Sequence, residues 1–265
     1  MSKPEWDKRI ARAGQLASEY PFAAEVLNFY GRVAAFQKLV YDQAASCCVR
    51  SVGERISLRE QLDVRSALQH LPALFSLVEK HGPPGLMRAG HALSQEGQDQ
   101  QLYILAVYAR GDGPRGELAH FFARACLQPY AEYNASHSNL DLTAYTGPLC
   151  PLCNSRPQVA VLRPEGNGAK RSLICSFCLL EWNFRRIVCP ACGEQDKEKL
   201  PRFSSLDFSH LRVEACDTCM TYLKSVDLTV NGLAIPIVDE IAGAPLDLWA
   251  GDHGYSKIEL NLVGC

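Results

Sequence analysis

Eight cysteines between Cys150 and Cys219 fall into four Cys-x-x-Cys pairs: Cys150 with Cys153, Cys175 with Cys178, Cys189 with Cys192, and Cys216 with Cys219. A tetrahedral ion takes four thiolates at about 2.3 Å, and one such turn supplies two of them from a single direction. A second turn must therefore return from the other side. The segments between pairs run from 154 to 174 and from 193 to 215, long enough for a hairpin to leave one turn and come back, whereas only residues 179–188 separate the second pair from the third. Each half reads as a zinc-ribbon or rubredoxin-like pair of knuckles, and the internal repeat predicts sequential pairing. Spacing alone also admits a cross-braced arrangement, first turn with third and second with fourth. Pro151 and Pro190 stiffen the first knuckle of each half. Asn154 and Gly193, directly after those knuckles, are types that tolerate left-handed backbone.

The remaining cysteines, Cys47, Cys48, Cys126 and Cys265, lack a second ligand at suitable spacing and are expected to be small hydrophobes. The seven histidines form no ligand pattern, and no Ser/His/Asp set, phosphate loop or HExxH helix is present. The chain does not read as an enzyme.

The elements that must carry these turns follow from periodicity. Before residue 140 the apolar residues recur at three and four, as in Phe22, Val26, Tyr30, Val33, Phe36 and Val40, which predicts a helix with a continuous buried stripe. Ser57 to Glu60 has the form of a capping box opening a helix towards His70, and further helices are expected over Ala73–Lys80, Gly85–Gln95, Gln98–Ala109 and Pro114–Tyr130. The Asn/Ser/Thr-rich stretch 134–147 marks a boundary. Brief strands are expected at Gln158–Leu162, Arg171–Ile174 and Leu211–Val213. The fold class is therefore multidomain α plus small β: an all-α domain over 1–140, tetracysteine modules over 148–188 and 189–230, and a tail over 231–265 packing on the modules.

The chain has 265 residues with 27 Lys plus Arg against 29 Asp plus Glu, so no global field draws it to nucleic acid or anionic lipid. Across 148–230 there are 11 basic and 9 acidic residues, a formal +2. Two divalent tetrathiolate centres, each about −2, bring the segment to about −2. A phosphate-gripping ribbon should be more basic, and Lys170-Arg171 and Arg185-Arg186 are expected on solvated faces. No apolar run is long enough to span a bilayer, and the charged opening segment lacks a signal-peptide core, so the chain is read as cytoplasmic with no membrane and no nucleic-acid partner.

Leu173 to Trp182, continuing through Arg185 to Cys189-Pro190-Ala191-Cys192-Gly193, resembles the formate dehydrogenase accessory protein family, FdhE. So do Glu214 to Lys224 with Asp227, and the closing Asp247-Leu248-Trp249, His253-Gly254-Tyr255 and Asn261-Leu262. Asn154 stands where a glycine often follows the first knuckle. The resemblance implies a cytoplasmic maturation factor, or chaperone, that is needed for active formate dehydrogenase and is not itself the dehydrogenase. It implies a helical domain followed by two rubredoxin-like sites, and binding of the immature catalytic subunit of the selenium- or molybdenum-dependent enzyme before export. The ligands carried over are Cys150, Cys153, Cys175 and Cys178, then Cys189, Cys192, Cys216 and Cys219. The cofactors are two metal ions. Four tetrahedral thiolates suit iron and zinc alike, and the resemblance favours iron. A rubredoxin-like electron-transfer protein and a zinc-ribbon nucleic-acid binder are the alternatives, and a homodimer is left open.

Overall fold

The computed structural model describes residues 5–47, 57–112 and 118–264. Helices come first: α1 (Trp6–Glu19), α2 (Ala24–Cys47), α3 (Val64–Leu68), α4 (Leu71–His81), α5 (Pro84–Gln95), α6 (Gln98–Arg110) and α7 (Leu118–Ser136). Sequence predicts most of these from local rules. Pro72 and Pro84 sit in the first turns of α4 and α5, where a missing N–H costs nothing, and Gly111 takes the left-handed conformation that closes α6. Two expectations are corrected. Ser57 opens only a 3-10 turn over Leu58–Gln61; the chain then extends at Leu62, and Asp63 caps α3 through the backbone N–H of Ser66. Phe22 is 62% exposed and Val26 half-buried, so of the expected stripe only Tyr30, Val33, Phe36 and Val40 are buried, with Leu27, Phe29, Ala34, Tyr41 and Ala44 beside them. Pro114, offered as the start of the last helix, lies outside the described residues.

Contacts divide the chain into two compact units, one formed by the residues up to Ile10 with Asn28–Asn139, the other by Ala11–Leu27 with the residues from Leu140 onward. In the first, α7 packs against α5 and α6, and α4 against α5. Its core includes Leu74, Val78, Leu105, Phe122 and Leu127, all at most 1% exposed.

The second unit carries the sheet: β1 (Pro157–Glu165), β2 (Gly168–Cys175), β3 (Glu181–Asn183), β4 (Arg202–Ser204), β5 (Leu211–Cys216) and β6 (Thr221–Asp227). Helices α8 (Pro236–Ala242) and α9 (Ala244–Asp252) and a short β7 (Ser256–Lys257) follow. The strand order is β3-β2-β1-β6-β5-β4, with β7 beside β6. Each half runs knuckle, strand, strand, knuckle, strand. Within a half the pairing is antiparallel, and the halves join where β1 meets β6 in parallel, from Val159 opposite Lys224 to Leu162 opposite Asp227. The two tetracysteine clusters thus hang from one continuous sheet.

Central strands that are covered on both faces lose the apolar-polar alternation. In β6 every residue from Tyr222 to Asp227 is buried, and α8 packs on β6 and β1. Four ionic side chains enter this core together. Lys224 Nζ donates to Asp247 Oδ2 at 2.5 Å and lies 3.3 Å from Glu240 Oε1, while Lys257 Nζ contacts both carboxylates. Asn261 completes Glu240 at 2.7 Å. Burial of such charges is tolerable only when each is paired, as these are.

Arg171 is also a correction: it is 3% exposed, not solvated, and donates to Glu214 at 2.6 and 3.0 Å and to the Arg185 carbonyl at 3.0 Å. Its position on β2 directs it towards β5 across the sheet, where a carboxylate receives it. Among the described residues no helix is long and apolar enough to cross a membrane.

Candidate metal centres

Four sulfurs at the ends of β1 and β2 converge. Cys153 Sγ lies 3.4 Å from Cys175 Sγ and 3.6 Å from Cys178 Sγ, and Cys150 Sγ lies 3.5 Å from Cys178 Sγ. In the second half Cys189 and Cys219 are 3.7 Å apart, as are Cys192 and Cys216. Within each set all four sulfurs lie within 4.8 Å of one another. A tetrahedron with metal–sulfur bonds of 2.3 Å has edges of about 3.8 Å. A disulfide requires about 2.05 Å, and all eight side chains are free thiols. The sets pair first turn with second and third with fourth, so the cross-braced alternative does not describe the geometry.

The turns explain why the sulfurs converge. Asn154, Leu179, Gly193 and Met220 each follow the second cysteine of a knuckle, and each has positive φ, at 58°, 56°, 81° and 52°. This reversal folds the backbone around the sulfurs: Asn154 N–H donates to the Cys150 carbonyl at 2.9 Å and Gly193 N–H to the Cys189 carbonyl at 3.0 Å. Sequence marks Asn154 and Gly193 for this conformation. Leu179 and Met220 carry no such mark, and adopting it costs them about 1–2 kcal/mol each. The turn geometry is held by its surroundings, not by residue preference.

Backbone N–H groups also point at sulfur. Phe177 and Cys178 donate to Cys175 Sγ at 3.3 and 3.4 Å, and Ala191 to Cys189 Sγ at 3.4 Å. Two hydroxyls occupy equivalent places, each two residues beyond a knuckle: Ser155 Oγ is 3.2 Å from Cys153 Sγ and Thr221 Oγ1 is 3.0 Å from Cys219 Sγ. Sequence reasoning passed over both, although a hydroxyl residue two positions after a Cys-x-x-Cys is a visible signal.

The backbone N–H donors favour thiolate. Burial opposes ionisation of Cys153, yet hydrogen bonds from Cys150, Cys175, Cys178 and Ser155 together hold its thiol well below the usual range. Burial, reinforced by interaction with the neighbouring thiols, pushes Cys175 and Cys178 well up. In the second set burial raises Cys216 to about 12, while Thr221 and the adjacent thiols outweigh burial at Cys219 and lower it. Each cluster alone thus stabilises charge unevenly among its sulfurs. A divalent or trivalent ion would remove that competition by accepting all four as thiolates, with release of the protons. Beside the second cluster, Arg171, Arg186 and Arg202 line a pocket with Cys189, Cys216 and Glu214. The donor set fits zinc or iron.

No histidine belongs to either cluster. His70 pairs with Tyr130 at 2.9 Å and His210 with Asp239 at 2.9 Å. Cys126 is fully buried, and burial drives its thiol far above the ordinary value, as for an inert core side chain. The side chains of Cys47, Cys48 and Cys265 lie outside the described residues.

Comparison with known proteins follows the same division of the chain. Residues 149–186 match the family model described as FdhE, central domain, and residues 187–263 match that described as FdhE, C-terminal domain. A "Protein FdhE homolog" of Aquifex aeolicus is 25% identical over 266 residues, covering 96% of this chain and 94% of the relative. The Pseudomonas putida protein of the same name is 34% identical over 210 residues, covering 76% of this chain and 63% of the relative. The crystal structure of the FdhE protein from Pseudomonas aeruginosa superimposes with a TM-score of 0.74 at 22% identity, covering 100% of this chain and 98% of that one. That likeness establishes a common fold.

Proposed function

The chain belongs to the FdhE family, and from this premise we propose that it is an accessory protein of formate dehydrogenase whose eight clustered cysteines hold two metal ions. In this reading it acts in the cytoplasm on the immature catalytic subunit of the enzyme, as a maturation factor and not as a catalyst. The observation that carries the reading is the pair of four-sulfur clusters, each at tetrahedral spacing, on the fold shared with the FdhE crystal structure.

Cys150, Cys153, Cys175 and Cys178 form one ligand set, and Cys189, Cys192, Cys216 and Cys219 the other. Zinc there would act as a cross-link, whereas iron, which the family resemblance favours, would add one-electron chemistry. The chain's own contribution is to bring four knuckles to the ends of paired strands, to orient the sulfurs through backbone N–H groups, and to fix the sheet on which both halves hang. The four-sulfur sets sit at the knuckle ends of the strands, so ion binding would tie those turns together and contribute directly to their folding.

The experiment is capture of the client. An affinity-tagged full-length chain, expressed in cells making formate dehydrogenase and purified without oxygen, is expected to bring down the catalytic subunit. Failure to retain that subunit above an untagged control would sink the accessory reading.

A further inference from the structure

The two clusters have the same sulfur arrangement but different covers. In the first, Cys150, Cys153, Cys175 and Cys178 are at most 2% exposed. In the second, Cys189 and Cys216 are buried, Cys219 is half-buried and Cys192 is exposed. The difference tracks the residue just before the second cysteine of each knuckle. The first cluster has Leu152 and Phe177 there, large side chains that are 9% and 1% exposed. The equivalent residues of the second cluster are Ala191 and Thr218, both small and both exposed. Gly193, beyond Cys192, adds no side chain, and a Cβ placed on it would meet nothing within 4 Å. One edge of the second tetrahedron is therefore open to solvent.

Exposure decides whether an outside ligand can reach a metal-bound sulfur, since the surrounding shell controls solvent access and thiolate reactivity follows accessibility. Resting on the assignment of two metal ions, we propose that Cys192 is the exchangeable ligand of the second centre, the sulfur displaced first when an outside thiol binds there, while the first centre is a sealed structural site. The step is a ligand substitution. With an ion held by Cys189, Cys192, Cys216 and Cys219, the incoming thiol would replace the Cys192 Sγ bond with a bond through its own sulfur and give its proton to Cys192. No electron is transferred. The incoming thiol can be a small molecule or a cysteine of a polypeptide, because the open edge admits the same atom from either source.

The test uses the full-length chain loaded with zinc and assayed for two bound equivalents before the chase. A chromogenic chelator is added with and without 2-mercaptoethanol, and then, in a parallel arm, with a short peptide containing one cysteine. Iodoacetamide labelling with peptide mass spectrometry follows the same time course. One equivalent is expected to leave about tenfold or more faster than the other, either thiol source should accelerate that fraction alone, and among the eight ligand cysteines the first carboxamidomethyl group should appear on Cys192. Acceleration by the small thiol but not the peptide would restrict the site to small molecules. The double variant Ala191→Leu with Thr218→Phe, which supplies the missing cover, should slow the fast fraction towards the slow one. Release of both ions at one rate, or first labelling among Cys150, Cys153, Cys175 and Cys178, would overturn the proposal. A chain that binds no zinc before the chase would instead overturn the metal assignment on which it rests.

Discussion

Arg12 and Asp239, 227 positions apart in sequence, are joined by two hydrogen bonds of 3.0 and 2.5 Å in the core of the sheet-bearing unit. Asp239 is fully buried and also accepts from the Ile235 backbone N–H at 2.7 Å and bonds His210 at 2.9 Å. An early segment of the chain is thus tied by charge to the helix α8 that covers the sheet. Removing one member of such a pair leaves the other buried and unpaired. Asp239→Asn or Arg12→Ala should cost about 3–5 kcal/mol, read as a shift of the urea midpoint of the transition that reports on the sheet. A change no larger than that of an exposed control such as Lys8→Ala would mean the pair is energetically idle.

The same carboxylate gives a pH dependence. Burial opposes its ionisation, but hydrogen bonds from His210 and Arg12 prevail and hold it below its ordinary value of 3.8. A carboxylate depressed on folding stabilises the native state fully above its unfolded pKa, and that stability is lost as pH falls through the folded value. The stability gap between the wild type and Asp239→Asn should therefore shrink on going from about pH 6 to about pH 3. A gap constant over that range would contradict the assignment.

Lys224 sits at the centre of the buried ionic group, with Glu240 and Asp247 depending on it. Burial lowers its pKa, against the pull of Glu240. Lys224→Met keeps the volume and removes the charge, leaving two carboxylates with Lys257 alone. The expected loss is about 3–5 kcal/mol, and the double variant Lys224→Met with Asp247→Leu should recover part of it. Additive losses in the double variant would show that the two residues are not coupled.

Met220 offers a prediction of opposite sign. It is 42% exposed with φ of +52°, so its side chain gains little and its backbone is strained. Met220→Gly removes that strain, at some entropic cost, and should raise thermal stability by about 0.5–1 kcal/mol. A destabilised variant would indicate that the packing of the Met220 side chain, whose Cε lies 3.6 Å from where a Cβ on Gly254 would stand, outweighs the strain.

The clusters are legible because four thiolates around one ion demand cysteines at fixed spacing, and the helices because Pro72 and Pro84 open α4 and α5 and Gly111 closes α6. What stayed hidden is instructive. Strand β6 reads as Thr-Tyr-Leu-Lys-Ser-Val-Asp, and its polar residues conceal a core strand in which Lys224 is neutralised by Glu240 and Asp247 on later helices and Asp227 by Arg212 on β5. Strands β3 and β4 have three residues each, too few for a period to show. The left-handed turns at Leu179 and Met220 defy local preference because the knuckle requires them. Arg171 reads as solvated until the carboxylate of Glu214, 43 positions away, is placed beside it.

Metal content of single cysteine variants tests the account most directly. The wild-type chain, purified without oxygen and analysed by native mass spectrometry, should carry two ions; Cys175→Ser and Cys216→Ser should each carry one, and the double variant none. A wild-type chain with no bound ion, or a single substitution that empties both centres, would contradict two independent four-cysteine sites.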